Sequence, residues 1–152
     1  MSFLPVYLDT SAILKLIVSE PESEPLVRAL ESRPDRVSSV LAAVETHRAL
    51  RRLRAFRDVR DRATTVLSAV VLVRMDEAIV ERASAFADAT LRALDAVHLA
   101  TALSLGDDPD AVFTYDPRLA SAAARQGLAV RHPGVTQLDP EPGPLPPAIP
   151  HR

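Results

Sequence analysis

Four acidic residues stand where a carboxylate could do chemistry: Asp9, Glu45, Asp95 and Asp116. Asp9 directly follows a short apolar run typical of a strand, and Asp116 follows a second such run with one residue between. Ligands of open parallel sheets bind at the carboxyl ends of the strands, so we expect both acids at that edge. Asp95 interrupts an apolar helical stripe, which is unusual because a buried carboxylate is costly unless paired or metal-bound. Glu45 falls within the second turn of a predicted helix.

Such a group of carboxylates would be strongly self-repelling. Two unit charges ~4 Å apart at an effective dielectric constant of ~20 repel by about 4 kcal/mol, so the group persists only by sharing protons or binding cations. The chain has no cysteine, and all-oxygen ligands favour Mg²⁺ or Mn²⁺ over zinc. Ions of this kind beside a phosphodiester activate water and stabilise the leaving oxygen. The residue types therefore favour metal-dependent hydrolysis of a phosphodiester.

The elements that must position these acids alternate along the chain. The sequence predicts strands at 6–8, 36–40, 70–73, 111–114 and 128–131, separated by helical patterns of which 91–105 is the clearest. The run 70–73 is continuous and β-branched, so we expect it to be buried on both faces. Alternation of this kind predicts an α/β fold, a three-layer α/β/α sandwich around a mostly parallel sheet of four to five strands.

Composition limits the class of protein. The 152 residues are 47% apolar and 25% charged, as in one ordinary globular domain, and the net charge of −2 means that nucleic-acid binding would need a local basic patch. The absence of cysteine fits a reducing compartment, and no apolar run approaches the ~18 residues of a membrane span. We therefore predict a cytoplasmic protein without a membrane partner. Its domain should cover residues 1–131, and the proline-rich residues 132–152 should form an extended or disordered tail.

Each acid also has an ordinary structural interpretation. Asp9 and Asp116 could be helix N-caps, Asp95 could favour the helix dipole in a first turn, and Glu45 could face solvent. His98 lies three residues after Asp95 on nearly the same helical face. It could form a metal pair with Asp95, act as a general base, or face the core and support the site.

Four sequence motifs together resemble the PIN domain of the VapC type, the toxic ribonuclease of bacterial toxin–antitoxin pairs. They are YLDTSA at 7–12, AVE at 43–45, LDAVHLATA at 94–102 and FTYDPRL at 113–119, and they occur in that family's order and spacing over residues 5–131. The resemblance implies a PIN fold and a Mg²⁺- or Mn²⁺-dependent endoribonuclease. Its catalytic and metal-binding acids would be Asp9, Glu45, Asp95 and Asp116, with Ser11 and Thr114 as polar helpers beside them.

The resemblance also implies a small antitoxin that blocks the site, and commonly a homodimer. Seven arginines lie between positions 48 and 62, and Arg48, Arg51 and Arg52 share one side of a predicted helix about a turn past Glu45. A charge run is usually a solvated face, but these side chains could instead contact RNA phosphates or acidic residues of the antitoxin. Two alternatives remain open: a non-catalytic PIN-like module that binds protein or RNA, and an RNA-processing nuclease without a toxic role.

Overall fold

A computed structural model describes residues 4–107 and 109–139. Within them, strands and helices alternate almost throughout. The elements are β1 (Val6–Leu8), α1 (Thr10–Ile17), α2 (Ser23–Leu30), β2 (Arg36–Ser39), α3 (Val40–Arg52), α4 (Arg57–Ser68), β3 (Val71–Val73), α5 (Glu77–Ala85), α6 (Ala93–Leu103), β4 (Ala111–Phe113), α7 (Pro117–Arg125) and β5 (Val130–Arg131).

The strands form one parallel sheet in the order β3-β2-β1-β4-β5. The central strand β1 is fully buried, and its side chains alternate between the two faces. Val6 and Leu8 pack in one apolar cluster with Ile13 of α1, whereas Tyr7 packs in another with Ala102 of α6. Helices therefore cover both faces of the sheet, and the predicted three-layer α/β/α fold is confirmed.

The expectation that the third strand is buried on both faces is wrong. β3 lies at the edge of the sheet beside β2, and the side chain of Val71 is 65% exposed. The second strand is also shorter than predicted because Ser39 ends it as the N-cap of α3, its hydroxyl accepting a hydrogen bond from the backbone N–H of Leu41.

The first residues after β5 pack against the rest of the domain. The hydroxyl of Tyr115 donates a 2.8 Å hydrogen bond to the carbonyl of Pro133. Gly134 has a φ of +87° and approaches the backbone of Glu22 so closely that an added Cβ would lie 3.2 Å from its Cα. Residues 140–152, most of the predicted tail, lie outside the described residues, and the tail there stays a prediction.

Among the described helices, none has the length and apolar character required to cross a membrane.

Candidate active site

Asp9 ends the central strand and begins the first helix. As the N-cap of α1 it accepts a hydrogen bond of 3.0 Å at Oδ1 from the backbone N–H of Ala12, and Ser11 donates to the same oxygen at 2.6 Å. Thr114 donates to Oδ2, also at 2.6 Å. Burial raises the pKa of Asp9 above its usual value, and His98 and the two hydroxyls oppose this without cancelling it. The capping interpretation is therefore correct, but it does not account for an acid that is only 4% exposed.

Ser11 and Thr114 join the ends of two neighbouring strands. Ser11 accepts a 2.9 Å hydrogen bond at Oγ from the backbone N–H of Tyr115, and Thr114 accepts one of 3.0 Å at Oγ1 from the backbone N–H of Asp116. Each hydroxyl thus accepts from the backbone while donating to Asp9. Both predicted polar helpers lie against Asp9 and hold its two oxygens in place.

Asp116 begins the helix that follows β4. Its Oδ1 caps α7 by accepting from the backbone N–H groups of Arg118 at 2.8 Å and Leu119 at 3.4 Å, and Pro117 occupies the first turn. Asp9 and Asp116 therefore follow adjacent parallel strands, as predicted from their positions in the sequence.

Asp95 is the acid in the least favourable surroundings. It lies in the first turn of α6, and its Oδ2 is buried without a hydrogen-bond partner among the described residues. Burial, and then the charges of Asp116 and Asp9, raise the pKa of Asp95 to about 6. A buried carboxylate oxygen that lacks a donor costs free energy, so the charged form of Asp95 is disfavoured where it lies.

Glu45 is held by a chain of hydrogen bonds that the sequence did not predict. Its Oε1 lies 2.8 Å from Thr10 Oγ1 and 2.8 Å from His98 Nε2, and His98 Nδ1 lies 2.7 Å from the hydroxyl of Tyr7. Burial acts to raise the pKa of Glu45, but His98 and Thr10 outweigh it and hold that pKa below its usual value. His98 is 3% exposed and contacts Glu45, so it supports the site from the core.

Of Tyr7 and Thr10, only Tyr7 carried a signal in the sequence. Tyr7 is the hydroxyl-bearing side chain of the apolar run 6–8, and a buried phenol usually needs a hydrogen-bond partner. Thr10 gave no such signal, because a threonine at the start of a helix is equally able to serve as a cap. Its alignment with Glu45 depends on how α1 packs against α3, which the spacing of residues does not reveal.

A divalent ion at this site would need ligands besides the described acids. In residues 4–107 and 109–139, no three carboxylate or imidazole groups lie close enough together to hold a metal ion as they stand. Mg²⁺, however, keeps several waters and is usually bound through one or two carboxylates plus substrate phosphates. The unpartnered oxygen of Asp95, under the charges of Asp9 and Asp116, fits such an ion.

The three candidate arginines lie on exposed turns of α3 beyond Glu45. Helical spacing puts Arg48 and Arg52, three and seven residues after Glu45, on its side of the helix. Arg51 instead lines a separate cavity between α3 and α4.

Comparison with known proteins agrees with this geometry. Residues 6–125 match the family model of the PIN domain. The chain belongs to the PIN-domain family. PIN-domain ribonucleases generally use divalent metal ions.

Among curated PIN relatives, ribonuclease VapC46 of Mycobacterium tuberculosis is 44% identical over 84% of this chain and 97% of its own length. Ribonuclease VapC35 of the same species is 38% identical over 85% of this chain and 97% of its own. These relatives confirm the VapC-type resemblance seen in the motifs.

Two solved structures share the fold. VapC20 of M. tuberculosis, a toxin that cleaves the sarcin–ricin loop, superimposes with a TM-score of 0.67 at 19% identity, over 84% of this chain and 99% of its own. A toxin–antitoxin complex from Klebsiella pneumoniae gives a TM-score of 0.61 at 20% identity, over 89% of this chain and 98% of its own.

Proposed function

We propose that this protein is a Mg²⁺- or Mn²⁺-dependent endoribonuclease and the toxin of a toxin–antitoxin pair. The observation that carries the proposal is the buried, unpartnered Oδ2 of Asp95 beside the charges of Asp9 and Asp116. Relatives of this chain that are named ribonucleases support the reaction, and the Klebsiella complex supports the kind of partner.

In this proposal Asp9, Glu45, Asp95 and Asp116 would hold the divalent ion beside the scissile phosphate. When bound there, the ion supplies Lewis-acid activation of water and neutralises charge that develops at the phosphate. Ser11 and Thr114 fix the direction of the Asp9 carboxylate, and His98 keeps Glu45 ionised. Two of the four carboxylates are thus oriented before the substrate arrives, which favours electrostatic stabilisation of the reaction.

The substrate contacts are proposed from the same site, and the partners from the likeness to VapC-type toxins. Arg48 and Arg52, on the Glu45 side of α3, contact RNA phosphates that approach the acids. A small antitoxin protein covers the site when the toxin is inactive, and two copies of this chain form a homodimer. An RNA-cleaving toxin acts where RNA is found, so we place it in the cytoplasm.

Single-turnover cleavage of total RNA tests the proposal. Wild-type protein in Mn²⁺ should cleave RNA, and Asp9→Asn and Asp95→Asn should each cleave at least 100-fold more slowly, on the order of what one essential electrostatic group contributes. Glu81→Gln, which removes an exposed acid of α5, is the matched control and should cleave like wild type. Equal cleavage by Asp9→Asn and wild type would overturn the proposal.

A further inference from the structure

A cavity of about 490 Å³ lies between α3 and α4, at the end of the helix that carries Glu45. Its lining residues are His47, Leu50, Arg51, Arg54, Ala55 and Arg60. Four of these six are cationic or can become so, and none is acidic. The cavity is therefore built from charges of one sign.

These cations lack an acidic partner among the described residues. In the part of the chain that the structure describes, Arg51, Arg54 and Arg60 form no ion pair. Like charges that converge without a counterion repel each other, and a bound anion removes that repulsion. The planar guanidinium fork of arginine matches phosphate oxygens two at a time.

The backbone at Arg54 is a second and independent observation. Arg54 has a φ of +50°, the left-handed region, and among the described residues no other non-glycine residue has a positive φ. The backbone N–H of Ala55 donates a 3.0 Å hydrogen bond to the carbonyl of Leu50 and so ends α3 in the manner that favours glycine at position 54. An arginine held in this conformation, with its side chain lining the cavity, points to a function for that side chain.

The chemistry of the cavity favours a phosphate backbone over a protein segment. The surface of the cavity is more polar than apolar and Leu50 is only 1% exposed, so the arginine side chains suit phosphate better than the cavity suits the apolar face of a peptide. Arg51 lies about 9 Å beyond Glu45 along the helix axis, and Arg48 and Arg52 lie on the exposed turns between and beside them. Phe56, next to Ala55, is 81% exposed and can stack on a base.

We propose that the cavity of Arg51, Arg54 and Arg60 is a second phosphate-binding site, which holds the RNA strand outside the active site. The inference rests on the proposed ribonuclease function and deepens it. It assigns substrate binding to residues beyond the acids, and it separates RNA affinity from cleavage.

The test measures RNA affinity in EDTA, without turnover, for wild type and for Arg51→Ala/Arg54→Gly. A fluorescent single-stranded RNA of about 20 nucleotides should bind the double variant ~10-fold more weakly. The slope of log affinity against log salt concentration should become less steep by about 1.4, because two phosphate contacts are lost. Arg74→Ala removes an exposed arginine that does not line the cavity, and it should change neither quantity.

Arg54→Gly alone separates binding from folding. Because glycine adopts a φ of +50° without steric cost, this variant should melt at or above the wild-type temperature while it binds RNA more weakly. A lower melting temperature would show that Arg54 serves the fold, and it would overturn the proposal. Unchanged RNA affinity with an unchanged salt slope would also overturn the proposal. If the variant then loses only its binding to poly-glutamate, the cavity would be assigned to an acidic protein instead.

Cleavage of a very short RNA separates this inference from the proposed function. A dinucleotide has a single bridging phosphate, which cannot occupy both sites at once, so wild type and Arg54→Gly should cleave it at the same rate. If wild type cleaves neither this RNA nor total RNA, the ribonuclease function is refuted and the binding result is judged by itself. Slower cleavage of this RNA by Arg54→Gly would contradict a site that acts only outside the active site.

Discussion

The Nε2 atom of His98 lies 2.8 Å from Oε1 of Glu45. Both side chains are held from the core side of the site. A carboxylate can only accept a hydrogen bond, so Nε2 carries the hydrogen of this contact. Burial raises the pKa of Tyr7 above its usual value, and its hydroxyl therefore keeps its proton and can donate to Nδ1 of His98. Tyr7 thus sets which nitrogen of His98 faces Glu45.

We expect Tyr7→Phe to test this chain of hydrogen bonds. The change leaves the ring in place and removes the donor to a buried imidazole nitrogen, so the free energy of unfolding should fall by about 1–3 kcal/mol. Single-turnover cleavage should slow as well, because Glu45 loses its fixed orientation. Urea denaturation and the cleavage assay measure the two effects.

Tyr115→Phe is the matched control for that experiment. It also removes a phenol hydroxyl with a hydrogen bond, the one to the Pro133 carbonyl, but this bond leads away from the acids. Cleavage by Tyr115→Phe should therefore match wild type. If Tyr7→Phe cleaves as fast as Tyr115→Phe, the Tyr7–His98 pair does not position Glu45.

Asp95→Asn should stabilise the metal-free protein in a pH-dependent way. The pKa of Asp95 is raised from 3.8 to about 6, so the folded protein binds more protons than the unfolded chain between these values. Wild-type stability should therefore fall, relative to the variant, as the pH rises from about 4 to about 6, and the difference should then stay level. Allowing for screening by solvent at this half-buried group, the difference above pH 6 should be on the order of 1 kcal/mol.

Melting curves of wild type and Asp95→Asn across this pH range measure the effect. Glu81→Gln should follow wild type at every pH, because it removes an exposed charge that is not among those that shift the pKa of Asp95. A variant that melts below wild type at pH 7 would show that the Asp95 carboxylate is stabilised by the fold, contrary to its unpartnered oxygen.

Thr114→Val should change the pH dependence of cleavage. The hydroxyl donates to Asp9 Oδ2 at 2.6 Å and lowers the pKa of Asp9 against the effect of burial. Without it the pKa of Asp9 should rise further, so the acidic limb of the pH–rate profile should move to higher pH. Thr114→Ser keeps the hydroxyl and should restore the wild-type profile; a profile that is the same in all three proteins would exclude this role.

Much of this arrangement could be predicted because it depends on local order. Asp9 and Asp116 follow strands of one parallel sheet, and the carboxyl ends of such strands must share an edge. The exposure of Val71 could not be predicted, because it depends on the order of strands across the sheet. The link from Tyr7 through His98 to Glu45 joins residues 91 and 53 positions apart, and no local pattern encodes such contacts.

Thermal melting of wild type and Asp95→Asn against increasing Mn²⁺ tests the central claim, a divalent-ion site at Asp9, Asp95 and Asp116. At ~100 times its dissociation constant, a bound ion adds about 2.7 kcal/mol, which for a chain of this size raises the melting temperature by roughly 5–11 °C. Wild type should show this rise, and Asp95→Asn should start higher and respond less. Two curves that respond equally to Mn²⁺, or not at all, would contradict a metal site at these acids.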